Sequence, residues 1–151
     1  MDEGRALQDA WKLHCYGCGS LNEHGLQIKS RWDGDELLCS WLPKPFQIGH
    51  PGYVFGGIIA SVIDCHTMWT AMAHWCRENG VEQPGPGTPP FVTGRLAVNY
   101  LKPARIDVPL DLRARVVDSS GRKANVACRV LQGDVEVATA DVVAVRIQSL
   151  P

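Results

Sequence analysis

The sequence predicts an α+β fold in which one long helix packs against a curved antiparallel sheet. Residues 56–77 are apolar on every side rather than along one stripe, which indicates a helix that is buried on most of its faces. Four extended stretches follow this helix, with alternating apolar and polar residues and turn sequences between them. A curved sheet can cover most of such a helix, and a second subunit would cover the remainder.

The part of the chain before the long helix is predicted to contain a short helix and a hairpin. The short helix covers residues 7–13 and is followed by a loop that contains Gly and Cys. The sequence Asp33-Gly34-Asp35 is typical of a hairpin turn. The strands predicted on its two sides are residues 26–32 and 37–42.

The long helix is predicted to end before residues 79–90, a Pro- and Gly-rich loop. In the next part of the chain, Leu110, Leu112 and Ala114 alternate with charged residues, as expected for a strand with one face in water. Turn residues such as Ser119-Ser120-Gly121 separate the long extended stretches. The four strands predicted after the helix are residues 91–101, 108–118, 123–132 and 135–147.

The composition of this 151-residue chain excludes several classes of function. A net charge of −1 with mixed signs gives no electrostatic basis for binding nucleic acid or an anionic membrane. The longest apolar segment is interrupted by Asp64, His66 and His74, and the N-terminus lacks an apolar signal core. The six cysteines are scattered, which favours a reducing cytoplasm over a disulfide framework. We divide the chain into an extension, residues 1–25, and one domain, residues 26–151.

Asp64 is the only carboxylate between Glu36 and Glu78. It lies in the middle of the apolar helix, where desolvation disfavours its charged form. Ionisable groups in buried, apolar surroundings are usually found at functional sites, most often in catalysis. The alternative is a neutral Asp64 that is hydrogen-bonded to a neighbouring Thr or to the backbone.

Gly56 and Gly57 begin the same helix. Their backbone N–H groups carry no Cβ cover and lie at the positive end of the helix, which suits them to polarise a carbonyl oxygen. The alternative is that the two glycines allow close packing of the helix against a strand.

Five motifs occur in the order found in one protein family. They are the segment from Cys15 to Leu26, the loop and helix start from Phe46 to Asp64, the stretch from Val92 to Ala104 that ends in Asn99-Tyr100-Leu101-Lys102-Pro103-Ala104, the pair Gly121-Arg122 and the run Val137-Ala138-Thr139-Ala140. Over residues 14–147 the chain resembles the PaaI-like acyl-CoA thioesterases of the hotdog fold.

The resemblance implies roles for several residues. Asp64 would be the general base or the nucleophile, and the N–H of Gly56 or Gly57 would polarise the thioester carbonyl. Thr93 would orient the attacking water, although it could be an ordinary strand residue. Phe55 stands where the family commonly has His, and Gly49 stands where many relatives have Asn.

The remaining substrate contacts are also implied by the resemblance. His50, Phe55 and Thr67 are candidate substrate-binding residues, with a solvated loop histidine as the alternative for His50. Two loops would hold the pantetheine and phosphates of coenzyme A, because Arg and Lys bind phosphate by charge-assisted hydrogen bonds. Simple solvated charges are the alternative for the residues of these loops, which are Lys102, Arg105, Gly121, Arg122 and Lys123.

His14, Cys15 and Cys18 have the spacing of half a zinc site, but no second Cys-x-x-Cys or His pair follows. Only tertiary proximity of Cys39, Cys65 or His66 could complete it, so no metal and no cofactor are expected. His66 and His74 are expected to be core or subunit-interface residues.

The sequence therefore predicts a cytoplasmic homodimer, pairing into a tetramer, that hydrolyses an acyl- or aroyl-CoA thioester. One alternative is a non-catalytic acyl-CoA-binding module, suggested by Phe55. The other is a hydratase or dehydratase of the same fold that uses His50 and Asp64, which are fourteen residues apart. Neither nucleic acid nor membrane is an expected partner.

Overall fold

The computed structural model of the protein describes residues 4–149. Within this range one helix packs against a single six-stranded antiparallel sheet, in the strand order β1-β2-β4-β5-β6-β3. This is the predicted hotdog arrangement, which is confirmed. The elements are β1 (Ser30–Asp33), β2 (Glu36–Trp41), α1 (Gly56–Glu78), β3 (Phe91–Tyr100), β4 (Leu110–Ser120), β5 (Lys123–Gln132) and β6 (Val135–Arg146).

The helix α1 has 23 residues and is therefore about 34 Å long. Its side chains, among them the fully buried Ile63 and Trp69, pack on sheet residues such as Leu112 to form one core. Gly80, with a φ of +68°, ends the helix, and the N–H of the next residue returns to the carbonyl of Cys76. In the described range of residues 4–149, no helix is both long and apolar enough to cross a membrane.

The predicted strand from residue 26 begins only at Ser30. The preceding backbone is bonded to the N-terminal extension instead, because the N–H groups of Leu26 and Ile28 donate to the carbonyls of Tyr16 and Gly17. Between them Gln27 has a φ of +51°, which breaks extended geometry.

The predicted short helix over residues 7–13 is also reduced, to a 3₁₀ turn at Leu7–Asp9. Tertiary contacts hold this turn in place, and the apolar pattern of the sequence does not extend it into a helix. The fully buried Gln8 side chain donates to Ser30 Oγ and accepts from the Ser30 N–H.

β3 is an edge strand, and no other described strand pairs with its outer side. Its pairing with β6 shifts register between Thr93 and Arg95, so that Gly94 is an extra residue in a β-bulge. Bulges redirect the neighbouring side chains. An edge of ten residues with unpaired backbone groups is a ready surface for another strand.

Candidate functional site

Asp64 and Thr93 form the first part of the site. Asp64 lies on α1 and is half-buried, so it is less enclosed than the apolar sequence around it predicts. The exposed Thr93, next to the β3 bulge, donates its hydroxyl hydrogen to Asp64 Oδ1. The structure thus brings a carboxylate and a hydroxyl together at the open edge of the sheet.

The start of α1 forms the second part of the site. Phe55 precedes the helix, and its carbonyl accepts the N–H of Ile58. The N–H groups of Gly56 and Gly57 have no hydrogen-bond acceptor among residues 4–149. Unsatisfied donors at a helix N-terminus can bind an anionic or polarised oxygen.

A groove of about 560 Å³ opens at this helix start. The Tyr100 hydroxyl donates to the Gly56 carbonyl over 2.8 Å and so ties the end of β3 to the helix. Phe55 is 56 % exposed, and its ring covers the side of Gly57 on which a Cβ would stand. His50 is exposed on the wall of the groove.

The two parts of the site are separate within one chain. Asp64 lies seven residues after Gly57, which corresponds to about 10 Å along the helix axis. A reacting carbonyl has to be about 3 Å from the donor and from an attacking nucleophile, or one water further from a general base. One chain therefore holds both kinds of group, but its own Asp64 is too far from its own Gly57 to attack the same thioester directly.

The structure argues against the predicted substrate contact of Thr67. This side chain is fully buried, and its hydroxyl donates to the carbonyls of Ile63 and Asp64 at 2.9 and 3.0 Å. A threonine in a helix commonly bonds its own preceding turn in this way. Its hydroxyl offers no exposed surface to a ligand.

A basic cleft of about 310 Å³ lies at the other end of α1. We define it by Arg122, Lys123 and Arg146, none of which is within salt-bridge distance of an acid among residues 4–149. Gly121, with a φ of +61°, makes the turn that presents Arg122. The predicted phosphate-binding turn therefore lines the open cleft, and His74 lines it from the helix.

The other predicted phosphate-binding loop is less available. The Arg105 guanidinium donates two hydrogen bonds to Asp107, at 2.8 and 3.0 Å, which raise the pKa of Arg105 and lower the pKa of Asp107. Lys102 is exposed. This loop follows β3 whereas the basic cleft lies beside its start, and ten strand residues separate the two by about 30 Å.

Of the three residues that only tertiary proximity could bring to the Cys-x-x-Cys segment, the structure places Cys65 beside it. The Sγ atoms of Cys15, Cys18 and Cys65 all lie within 4.8 Å of one another. Hydrogen bonds from the thiols of Cys18 and Cys65, and from backbone N–H groups, hold the pKa of the Cys15 thiol well below its usual range. Cys39 is a buried core residue and is not part of the cluster.

His66 is the buried core histidine that the sequence predicts. Its ring nitrogens are 2.9 Å from Ser30 Oγ and from the Leu37 carbonyl oxygen, and desolvation lowers its pKa to about 4. It faces away from Asp64, since β1 and β2 lie at the opposite edge of the sheet from β3.

Sequence reasoning missed two residues. Tyr100 was recognised within a motif but not as a support for the helix start. Arg146 falls within the strand predicted for residues 135–147 and was not selected as a candidate, although its pairing with Phe91 places it at the basic cleft. The sequence pattern predicted the strand β6 itself, but not that its end pairs with the start of β3.

With this geometry in view, comparison with known proteins defines the family. Residues 51–139 match the model of the thioesterase superfamily. A thioesterase superfamily protein of Shewanella loihica is 34 % identical, with a TM-score of 0.67 over 93 % of this chain and 98 % of that one. The chain therefore belongs to the thioesterase superfamily, a family of thioester hydrolases.

Two further relatives are more distant. The acyl-coenzyme A thioesterase THEM4 of Xenopus laevis is 26 % identical over 115 residues. The match covers 76 % of this chain, which spans 46 % of that relative's length. A Bacillus halodurans protein solved with CoA has the same fold, with 23 % identity and a TM-score of 0.62 over 83 % of this chain and 77 % of that one.

Proposed function

We propose that this protein hydrolyses acyl- or aroyl-CoA thioesters, with Asp64 as the general base or the nucleophile. The observation that carries the proposal is the half-buried Asp64 carboxylate on an otherwise apolar helix, with the Thr93 hydroxyl bonded to it. A carboxylate held in this way can take a proton from water or attack the thioester carbon. The structure of the Bacillus relative with CoA and the name of the Xenopus relative support CoA as the thiol portion.

The chemistry follows from the two parts of the site. The thioester oxygen would accept the N–H of Gly57 or Gly56, which stabilises the negative charge that develops on it. Asp64 would activate a water that Thr93 orients, or would form an acyl-enzyme that water then opens. In both cases the carbon–sulfur bond breaks. In the first, the proton that Asp64 takes from water passes to the CoA sulfur, and in the second the thiolate leaves and takes up a proton from solvent.

The separation of the two parts within one chain supports a homodimer. If the outer edge of β3 pairs with the β3 of a second subunit in antiparallel fashion, the start of one strand lies beside the end of the other. The start of β3 carries Thr93 and its end carries Tyr100, which holds Gly56. Asp64 of one subunit would then approach Gly57 of the partner subunit, and a pair of such dimers would form the expected tetramer.

The same arrangement explains the two basic loops. Antiparallel pairing would bring the loop that contains Lys102 toward the basic cleft of the partner subunit. The cleft has three cations and one acidic lining residue, Glu78, which favours phosphate. We therefore assign the nucleotide phosphates to Arg122, Lys123 and Arg146.

The six free cysteines support a reducing compartment, which is consistent with the proposed cytoplasmic location.

The decisive experiment is a screen of acyl- and aroyl-CoA thioesters that records the release of free thiol. We expect turnover by the wild type, and for Asp64→Asn a decrease in kcat of about a hundredfold or more. The amide oxygen can still accept the Thr93 hydroxyl, so the thermal midpoint should stay level or rise. Asp134→Asn, at an exposed turn, is the matched control and should keep full activity.

Other results would point to the alternatives. Binding of acyl-CoA without turnover of any ester would favour the non-catalytic module, for which the exposed Phe55 is the motivating observation. Hydration of enoyl-CoA without hydrolysis would favour the hydratase that uses His50 and Asp64. A less stable Asp64→Asn with nearly normal turnover would make Asp64 a structural residue.

A second prediction concerns the nucleotide end of the substrate. Replacing both Arg122 and Lys123 by Ala should raise KM for a CoA thioester by about tenfold and leave kcat nearly unchanged, because these contacts are equal in the ground and transition states. Steady-state kinetics will test this, with Arg115→Ala, an exposed cation elsewhere on the sheet, as control. A pantetheine thioester without the nucleotide should show no such change, and an equal change would argue against phosphate contacts.

A further inference from the structure

The Cys-x-x-Cys turn of the N-terminal extension and α1 meet at three sulfur atoms. Cys15 and Cys18 lie on the turn and Cys65 lies on the helix, next to Asp64 in the chain. The Sγ atoms of Cys15 and Cys65 are 3.6 Å apart, and all three pairs are within 4.8 Å. The proposed hydrolysis does not use these three sulfur atoms, although Cys65 is adjacent to Asp64 in the sequence.

The spacing of the sulfurs fits a metal ion better than a covalent bond between them. Tetrahedral zinc with Zn–S bonds of about 2.3 Å places its sulfur ligands about 3.8 Å apart. A disulfide would require Cys15 and Cys65 to approach to about 2.05 Å. No bond links any of the six cysteines.

The backbone of the turn is shaped around these sulfurs. A Cβ at Gly17 would stand 2.3 Å from Cys65 Sγ, so no side chain fits between the turn and the helix. A Cβ at Gly19 would stand 2.4 Å from the Cys15 backbone nitrogen, and the Gly19 N–H donates to the Cys15 carbonyl over 2.8 Å. The two glycines allow a tight loop that presents both Cys15 and Cys18 to Cys65.

We propose that Cys15, Cys18 and Cys65 bind one Zn²⁺ ion that fastens the N-terminal extension to α1. Thiolate sulfur is a preferred donor for zinc, and three protein ligands leave a fourth tetrahedral position. Among residues 4–149 no further His, Cys, Asp or Glu joins the cluster. Because Cys15 is exposed, a water molecule or a small solution ligand would take the fourth position.

The first test is the metal content of the full chain, prepared without a metal-affinity tag and loaded with zinc under reducing conditions. We expect about one zinc per chain by mass spectrometry of the elements. Cys15→Ser, Cys18→Ser and Cys65→Ser should each retain less than about a tenth of it. Cys76→Ala, a buried cysteine of the same helix outside the cluster, is the matched control and should keep the zinc.

The second test uses the wild-type chain, so it does not depend on whether the variants fold. Cobalt in place of zinc should give thiolate-to-metal charge-transfer absorption and the visible bands of a tetrahedral ion. Zinc should also protect Cys15 from alkylation, and a chelator should restore its reactivity.

Several results would overturn the proposal. The wild-type chain could retain less than about a tenth of an equivalent of zinc after loading, peptide mapping of the loaded chain could find a Cys15–Cys65 disulfide, or the chain could bind copper in place of zinc. Loss of zinc from Cys76→Ala as well would also contradict a site built from these three sulfurs. None of these measurements uses catalytic activity, so they are independent of the proposed hydrolysis.

Discussion

Asp64 and His66 lie two positions apart on α1 but have opposite surroundings. Asp64 is half-buried and faces the open edge strand β3 through Thr93. His66 is fully buried and bonded to β1 and β2. Residues two apart on a helix point to different sides, so one turn of α1 carries both a candidate for catalysis and a structural contact.

The hydrogen bonds around His66 determine which ring nitrogen carries the proton. The Leu37 carbonyl can only accept, so His66 Nε2 must donate to it. His66 Nδ1 then accepts the hydroxyl hydrogen of Ser30, whose oxygen in turn accepts from Gln8. A second proton on the ring would leave the Ser30 hydroxyl hydrogen without an acceptor, which is costly in a buried network.

The free energy of unfolding should therefore depend on pH through His66. Its pKa is lowered to about 4 in the folded state by desolvation, whereas the unfolded chain titrates near the usual 6.5. As the pH falls from 6.5 to 4 the unfolded state binds the proton first, so stability present above pH 6.5 decreases by on the order of 3 kcal/mol. Urea titrations across this range will measure it.

The matched variants for this pH dependence are His66→Gln and His50→Gln. His66→Gln should be less stable at neutral pH but should lose the part of the slope that comes from His66. His50 is an exposed loop residue, and its replacement should leave the slope unchanged. An equal slope in the wild type and in His66→Gln would assign the acid sensitivity to other groups.

At the scale of the elements, the sequence predicted best where local periodicity decides the structure. The helix was predicted to end at residue 77 and ends at Glu78, and the strand predicted for residues 123–132 is β5. Apolar pattern and turn residues act over a few positions, so they can be recognised in one chain. The extension was predicted poorly, because the backbone of Leu26 and Ile28 bonds to residues about ten positions earlier.

The residues of the candidate site also differ in whether local sequence or long-range packing reveals them. Asp64, Gly56 and Gly57 could be selected from the sequence because an isolated acid or a glycine pair in an apolar run is locally unusual. The third sulfur of the cysteine cluster could not be selected, since Cys65 is fifty residues from Cys15 and only packing joins them. Thr67 was selected because of the resemblance to the family. Its hydroxyl is buried, and a resemblance in sequence does not reveal whether a side chain is exposed to substrate.

The contact between the extension and α1 predicts a specific cost at Gly17. A methyl group there would overlap Cys65 Sγ, so Gly17→Ala should destabilise the chain by about 1–3 kcal/mol. Gly85→Ala is the matched control, since a Cβ at this loop position meets no atom within 4 Å. Thermal and urea unfolding will compare the two, and equal stabilities would show that the extension does not pack on Cys65.

At the scale of the whole molecule, the position of β3 connects fold and function. The strand is an edge in the single chain, and its two ends hold the two parts of the site, through Thr93 and Tyr100. The exposed apolar residues near the helix start, Phe46, Phe55 and Leu101 among them, add surface that one subunit leaves in water. Light scattering at micromolar concentration should therefore give a dimer or a tetramer, and a stable monomer would remove the basis for a shared site.

A site shared between subunits predicts that two inactive variants restore each other. Gly57→Val should block the N–H donor, because a side chain there enters the space of the Phe55 ring, and Asp64→Asn should remove the base or nucleophile. In a heterodimer of the two variants, one site combines the intact Asp64 of the first chain with the intact Gly57 of the second. Chains co-expressed with two different tags and purified through both should therefore regain roughly half of the wild-type activity. If each chain used its own Gly57 and Asp64, the heterodimer would contain no intact site and would remain inactive, so the recovered activity directly measures whether the two parts of the site come from different subunits.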